Sequence, residues 1–281
     1  MSALYIVSTP IGNLEDLSVR AVSVLQSVAR VLAEDTRHTA ILLRRYAIAT
    51  PLVSAHEHNE AARAQQLVAW LDAGESVAVV TDAGTPLLSD PGARLVTAVI
   101  DAGHDVIPIP GASALLAALV VAGLPVEPFT FFGFAPRSGR ARAGLLDQLA
   151  ALPHTALLYE APTRLVTLLA DLARVCGTDR RVAIARELTK LHESVFRGTL
   201  AQALAYYGEG PVRGEIVVVL AGAAGAPVDG AAAAALAREL VAAGQTPKSA
   251  AQELARRLRI PRNEAYSLVL AVAREADRES E

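Results

Sequence analysis

The sequence predicts an α/β protein: a mostly parallel sheet with helices on its faces, a second α/β half, and a small helical extension at the C-terminal end. Three observations predict it. Over residues 1–110, short apolar runs alternate with loops and helical spacings about four times, the pattern of β-loop-α units. A second set of strand-like runs lies between 129 and 221, and beyond 230 only helical patterns remain. The expected division is therefore 1–110, 111–225 and 230–281.

Taken in order, Leu4–Ser8 is a short strand that runs into the Pro/Gly loop Thr9-Pro10-Ile11-Gly12-Asn13. A helix carrying Leu17, Val22, Val24, Leu25 and Val28 follows. Arg30–Ala33 is the next strand, then Glu34–Thr39 and a helix with Ile41, Leu42 and Leu43. After Pro51–His58, Asn59 is placed to cap the helix that carries Leu67, Val68, Trp70 and Leu71. Ser76–Thr81, rich in valine, reads as a buried parallel strand. It opens into Asp82–Gly92, a loop holding two glycines, two prolines, two hydroxyl-bearing side chains besides Thr81, and the carboxylates Asp82 and Asp90. Loops between strand and helix usually span two to six residues, so this length points to a ligand. Leu95, Val96, Val99 and Ile100 have helical spacing. Asp105–Pro110 is another strand, and Pro108, Pro110 and Gly111 form a hinge into the second half.

In that half Phe129–Phe134, Thr155–Tyr159, Val182–Leu188 and Glu215–Ala221 read as strands, and Val195–Gly198 as an antiparallel partner. Helices around Ala143–Leu149 and Arg164–Val175 alternate with them. Arg137–Arg142, RSGRAR, reads as a mobile basic lid. Ala221–Gly230 has the small-residue composition of a linker. Ala231–Ala243 is a helix; Thr246-Pro247 starts another that ends near Leu258, and Pro261 starts a third with Ala265, Leu268, Val269 and Val272 on one face. Joined by a tight turn, the last two resemble a helix-turn-helix. Lys248, Arg256, Arg257, Arg259 and Arg262 make this tail a basic patch against the single acid Glu253.

Composition bounds the function. A net charge of −3 argues against a general nucleic-acid coat, and with 4% aromatic residues the core must be built from Ala, Val and Leu. No apolar run reaches membrane-spanning length and no leader-like segment opens the chain, which reads as a cytoplasmic protein. The lone Cys176 forms no internal disulfide and reads as a buried, inert thiol. There is no Walker phosphate loop, no G-x-G-x-x-G and no nucleophile elbow at Gly111–Ala114. His56-Glu57-His58 lacks further ligands at useful spacing, so no metal is expected. What remains is a set of small-residue loops at strand ends, Pro10–Asn13, Asp82–Gly92 and Gly111–Ala114. They suit a nucleoside-like cofactor held by main-chain groups, with Asp82 or Asp90 facing a positive charge.

Six blocks carry a resemblance: YIVSTPIGNLEDLS (5–18), EDTRHT (34–39), TDAGTPLLSDPG (81–92), PGAS (110–113), YEAPTR (159–164) and ELTKLHE (187–193). Together they resemble the tetrapyrrole-methylase superfamily and, within it, the ribosomal small-subunit methyltransferase I family. The likeness runs from about residue 3 to 222, and the tail resembles that family's C-terminal extension less sharply. It implies a two-domain α/β fold with S-adenosylmethionine in the cleft between domains, and a homodimer. It also implies methylation of the ribose 2′-oxygen of a decoding-centre cytidine in 16S rRNA; a folded RNA site read by a protein of net charge −3 points to the 30S subunit as the form in which that RNA is presented. The alternative is a tetrapyrrole methyltransferase of the same superfamily. Those relatives carry a G-D-P loop where this chain reads Asp82-Ala83-Gly84-Thr85-Pro86, and Thr36, Arg37 and His38 belong to a block peculiar to the RNA branch.

Carried over by motif, Pro10, Asp82, Ala83, Gly84, Ser113, Ala114 and Ala221 line the cofactor cleft, largely through backbone. The carboxylates in motif blocks at strand ends, Glu34, Asp35, Glu160 and Glu187, are the candidate proton acceptors. Arg37, Arg137, Arg140, Arg164, Arg186 and Lys190 are the candidate contacts to phosphate or ribose.

Overall fold

The computed structural model describes residues 2–223, 230–258 and 262–279. Five strands of the first half form one sheet: β1 (Ala3–Val7), β2 (Arg30–Ala33), β3 (Leu52–Ser54), β4 (Val77–Val80) and β5 (Asp105–Ile109), in the order β3-β2-β4-β1-β5. Every pairing in it is parallel. Such a sheet is covered on both faces, which is why β4 is apolar at each of its four positions. Helices α1 (Val19–Ser27) and α2 (Thr36–Arg45) cover one face, packing Leu25, Leu42 and Leu43 on Val31, Ala78 and Val80. Helices α3 (Glu60–Asp72) and α4 (Ala93–Asp101) cover the other, where Leu67, Leu71, Leu95 and Val99 meet Leu4, Leu32, Val77 and Val79. Each fully buried leucine contributes roughly 1.5–3 kcal/mol by leaving water.

The second half has a different sheet. After α5 (Ala114–Val121) come β6 (Phe129–Phe134), α6 (Gly139–Ala151), β7 (Thr155–Glu160), α7 (Leu165–Cys176), β8 (Arg181–Arg186), β9 (Ser194–Thr199), α8 (Leu200–Gly208) and β10 (Ile216–Leu220). The order is β6-β7-β10-β8-β9, and only β6 and β7 run parallel. β10 lies antiparallel between β7 and β8, and β9 antiparallel on β8. Leu145, Leu149, Leu168, Leu172, Leu200 and Tyr207 of α6–α8 cover one face. Leu115, Ala118 and Leu119 of α5 cover the other, joined by Ile11 from the loop after β1, so this core reaches into the first half. Residues Met1–Gly222 form one compact unit.

The sequence reading missed α8, whose start is signed by a reciprocal cap: the Thr199 hydroxyl accepts from Gln202 N–H, and the Gln202 side chain accepts from Thr199 N–H. Asn59 sits at the start of α3 but does not cap it; its Oδ1 accepts from His56 N–H at 2.9 Å. The basic lid is also corrected. Arg142 is buried, its guanidinium held by Asp171 and the Pro136 carbonyl at 2.8 and 2.9 Å, and α6 already begins at Gly139. Cys176 ends α7 half-buried, and burial pushes its thiol up, consistent with an inert group.

Ala223–Glu281 is a second compact unit. Its helices α9 (Gly230–Ala242), α10 (Pro247–Leu258) and α11 (Arg262–Glu279) pack Ala237, Leu240, Ala250, Leu254, Ala265 and Val269 together. Lys248, Arg256, Arg257 and Arg262 are exposed, and Arg256 and Arg257 both bond Glu253. Arg259, Pro261 and most of the Ala221–Gly230 linker lie outside the described residues. No described helix is long and apolar enough to cross a membrane.

Candidate active site

Three loops from the first sheet knit into one wall. Thr9 and Gly84 exchange backbone hydrogen bonds of 2.8 and 3.1 Å, and the Thr9 hydroxyl donates to the Thr81 carbonyl. Thr85 Oγ1 donates to the Ala112 carbonyl at 3.2 Å, tying the third loop in. The long loop is fastened at both ends. Asp82 accepts from Asp35 N–H at 3.2 Å, and buried Glu60 on α3 accepts from Gly92 and Arg94 N–H at 3.0 Å each. That carboxylate satisfies orphan donors at the start of α4. Leu87 and Ser89 are held at φ of 74° and 71°, strained for residues with a side chain, and such strain gathers at ligand-binding loops.

The facing wall comes from the second sheet. The carboxyl ends of β6, β7 and β8 and the start of β10 bring Phe134, Tyr159, Glu160, Leu188 and Gly214 to the cleft. Gly214, at φ 88°, passes so close to Glu187 that an added Cβ would lie 2.4 Å from its side chain. Two polar contacts join the walls near their base: Asn13 N–H donates to Thr189 Oγ1 at 3.2 Å, and the Lys190 stem lies across Gly12. Lys190 Nζ then bonds Glu187 and Glu215 at 3.0 and 3.2 Å.

Between the walls lies a cavity of about 340 Å³, lined by Ile11, Asp82, Ala83, Gly84, Ser113, Ala114 and the second-sheet residues just named. Five of the seven sequence-predicted cofactor residues are among these. Pro10 lines a smaller neighbouring recess with Lys190, His38 and Asp82. Ala221 is displaced: it follows β10 at the end away from the cleft, where its N–H donates to the Arg181 carbonyl at 2.9 Å and its carbonyl accepts from Arg180 at 2.7 Å. Val218, Val219 and Leu220, at ~3.3 Å each, lie between it and Val217, where β10 lines the cavity.

The four candidate carboxylates part company. Glu160 lines the cleft with its side chain wholly buried. One oxygen pairs with Arg164 and accepts from Ala161 N–H at 2.8 Å; the other, Oε2, has no partner. An unpartnered buried carboxylate oxygen is costly and calls for a donor. Glu34 instead faces a small cavity behind the loop, with Glu60 and Pro91; burial, then Asp82, raises its pKa. Asp35 caps α2 and is clasped by Arg37, which holds it at about 2. The Glu215 N–H and then Lys190 hold Glu187 below the usual carboxylate range. Asp90, foreseen as a partner for positive charge, does line the cleft, and burial with the nearby Asp82 raises its pKa.

The basic candidates are sorted the same way. Arg186 spends its guanidinium on Ser194, Arg213 O and His192 O, bracing the second half rather than facing a phosphate. Arg37 pairs with Asp35, Arg164 with Glu160, and Lys190 with Glu187 and Glu215. Arg137 and Arg140 are exposed and, among the described residues, carry no ion pair. Sequence reasoning placed Ile11 and Leu88 within the cofactor loops without singling them out, and missed Phe134, Tyr159, Leu188 and Gly214 as cleft residues. The aromatic and aliphatic ones of the second half sit in runs that read simply as strands.

This geometry is that of a known family. Residues 3–204 match the family of Tetrapyrrole (Corrin/Porphyrin) Methylases, and the chain belongs to it. Among solved structures, a uroporphyrin-III-C-methyltransferase from Thermus thermophilus superposes with a TM-score of 0.55 at 23% identity, covering 78% of this chain and 94% of that one. A diphthine synthase superposes at 0.60 with 17% identity, covering 78% and 90%. These two show the fold. Closer in sequence is a Ribosomal RNA small subunit methyltransferase I from Synechocystis, 47% identical over 280 residues, 99% of this chain and 100% of that one. The protein of that name from Xylella fastidiosa is 50% identical over 70% of this chain and 72% of its own.

The methyl donor of the family is S-adenosylmethionine, and the cleft fits it. Its small-residue loops suit close main-chain contact, its apolar side chains suit a nucleobase, and the carboxylates of Asp82 and Asp90 suit hydroxyl and amino donors and a positive sulfonium.

Proposed function

We propose that this protein methylates small-subunit ribosomal RNA with S-adenosylmethionine, and that the acceptor is the ribose 2′-oxygen of a cytidine in the decoding region. The observation that carries the chemistry is the cleft: a rigid main-chain cradle facing one buried carboxylate with an unpartnered oxygen. Relatives named for ribosomal RNA methylation, one of them matching end to end, support the substrate class. The finer site, the assembled 30S subunit as substrate, a homodimer and a cytoplasmic setting complete the reading.

Bound S-adenosylmethionine supplies an electrophilic methyl carbon. The first-sheet loops hold the cofactor by backbone, and the apolar second-sheet side chains exclude water. Glu160 Oε2 accepts the proton that the 2′-hydroxyl gives up, while Arg164 keeps the other oxygen in place. Alignment of donor and acceptor contributes roughly 7–11 kcal/mol of barrier lowering.

The test is methyl transfer from labelled S-adenosylmethionine to 30S subunits taken from cells lacking the protein, with free 16S rRNA and a tetrapyrrole precursor alongside. Label at one cytidine of the 30S, with an alkali-resistant linkage, is the expected result. Label on the tetrapyrrole alone would sink the reading.

A further inference from the structure

At the mouth of the cleft the chain exposes an aromatic ring that folding does not require there. Phe134 is the last residue of β6, and the residue is 54% exposed. The pairing of β6 with β7 slips between Phe131 and Phe134, a bulge made possible by Gly133 at φ 65°. Bulges re-aim side chains beside functional sites. Here the result is that Phe131 packs inward on Tyr159, while Phe134 meets the same ring edge-on from outside, at 5.5 Å between centroids and 62° between planes. Tyr159 lines the cofactor cavity, so the outer ring rests on a support that is itself part of the site.

Phe134 also borders a second, open groove of about 780 Å³, with Pro136, Arg137, Thr163 and Arg164. The groove shares Phe134 and Ala161 with the cofactor cavity, so the two adjoin at these residues. Arg164 is committed to Glu160, but Arg137 carries no ion pair among the described residues and stands exposed. An aromatic face, a free guanidinium and an open groove adjoining the cofactor cavity are the parts with which proteins hold unpaired nucleotides. The ring stacks a base of any identity and the arginine takes a phosphate.

We infer that Phe134 is a stacking platform for an unpaired RNA base at the mouth of the cleft, with Arg137 as its phosphate contact. The inference rests on the RNA reading above and names the residues that position the substrate. Phe134 is a positioning residue: it orders the strand so that a neighbouring ribose reaches the cavity.

The experiment uses the full chain and the variants Phe134→Ala, Phe134→Trp and Arg137→Gln. Affinity for a short unstructured RNA and KM for 30S subunits are read beside cofactor binding by calorimetry. Stacking is worth about 1–3 kcal/mol per base, so Phe134→Ala is expected to weaken RNA binding about 5- to 150-fold, beyond any loss of cofactor affinity that calorimetry shows from the shared cavity wall. Phe134→Trp is expected to keep RNA affinity, and its added fluorescence, over the constant background of Trp70 beneath Arg30, is quenched by RNA. Arg137→Gln is expected to lower the slope of log affinity against log salt by about one. Unchanged RNA affinity in Phe134→Ala, absent quenching in Phe134→Trp, or dissociation of an oligomer by Phe134→Ala would each overturn the proposal, the last making the ring a subunit contact. Absence of methyl transfer by the wild type would overturn the RNA methylation reading instead, and quenching still judges the platform.

Discussion

The two walls of the cleft are built on opposite plans. The first-sheet wall is main chain: an all-parallel sheet sends out three loops that bond one another, and their own side chains are mostly small. The second-sheet wall is side chain: a mixed sheet presents Phe134, Tyr159, Glu160 and Leu188 from strand ends and their following loops. A backbone wall is hard to alter by point substitution and suits the part of a reaction that every family member shares. A side-chain wall changes with each residue and suits the choice of acceptor. That contrast fits a family whose solved structures include a porphyrin-type methyltransferase at 23% identity on the same fold.

The contrast can be broken most sharply at Glu160. Glu160→Gln keeps the shape and removes the basic oxygen. Methyl transfer is expected to fall by about 10²–10⁴-fold, with cofactor binding by calorimetry little changed. Arg164→Gln, which removes the same ion pair and leaves the carboxylate, should cost less; equal losses would mean that Glu160 is only structural.

Next in size is Gly214→Val. Its side chain would enter the space of Glu187, and the residue would be held at positive φ, so a loss of at least ~1 kcal/mol in denaturant stability is expected together with weakened cofactor binding. A fully active, fully stable variant would show that the close approach is not needed.

Glu60→Ala probes the backbone wall from behind. It leaves the amides of Gly92 and Arg94 unpaired, at a cost of about 1–3 kcal/mol, and frees the far end of the loop. Cofactor affinity should drop although Glu60 lies outside the cavity. If affinity holds while stability falls, the loop needs no fastening.

The smallest effect is in the C-terminal unit. Arg256 and Arg257 hold Glu253 at about 2, below its ordinary 4.5. A depressed carboxylate contributes stability that is full above the unfolded value and is lost as pH falls through the folded one. In the full chain, wild type should therefore lose a little more stability than Glu253→Gln between about pH 5 and 2, seen by circular dichroism. The pair is exposed, so the difference is small.

Much of this was legible in the sequence. The β-loop-α punctuation marked β1, β2, β4 and β5 but gave no strand to Pro51–His58, where the short β3 lies, and the unusual length of Asp82–Gly92 marked the loop that walls the cleft. Strand direction in the second half was not legible, because a run such as Ile216–Leu220 is equally apolar whichever way it lies between its neighbours. The same ambiguity misplaced Ala221: a small residue after a strand looks alike at either end of a sheet. Arg142 and Arg186 read as surface cations because their partners, Asp171 and the carbonyls of His192 and Arg213, are set only by tertiary packing. Phe134 and Tyr159 read only as strand residues, because a bulge, not composition, turns one of them outward.

The fastening of the long loop also has a kinetic side. A segment held by Asp35 N–H at one end and by Glu60 at the other has its shape fixed by the protein's own groups rather than by a ligand. Entry then has no slow ordering step to wait for, and association should follow a single exponential whose rate rises linearly with cofactor concentration. Differences in affinity between this protein and its variants would appear in how long the ligand stays rather than in how fast it comes.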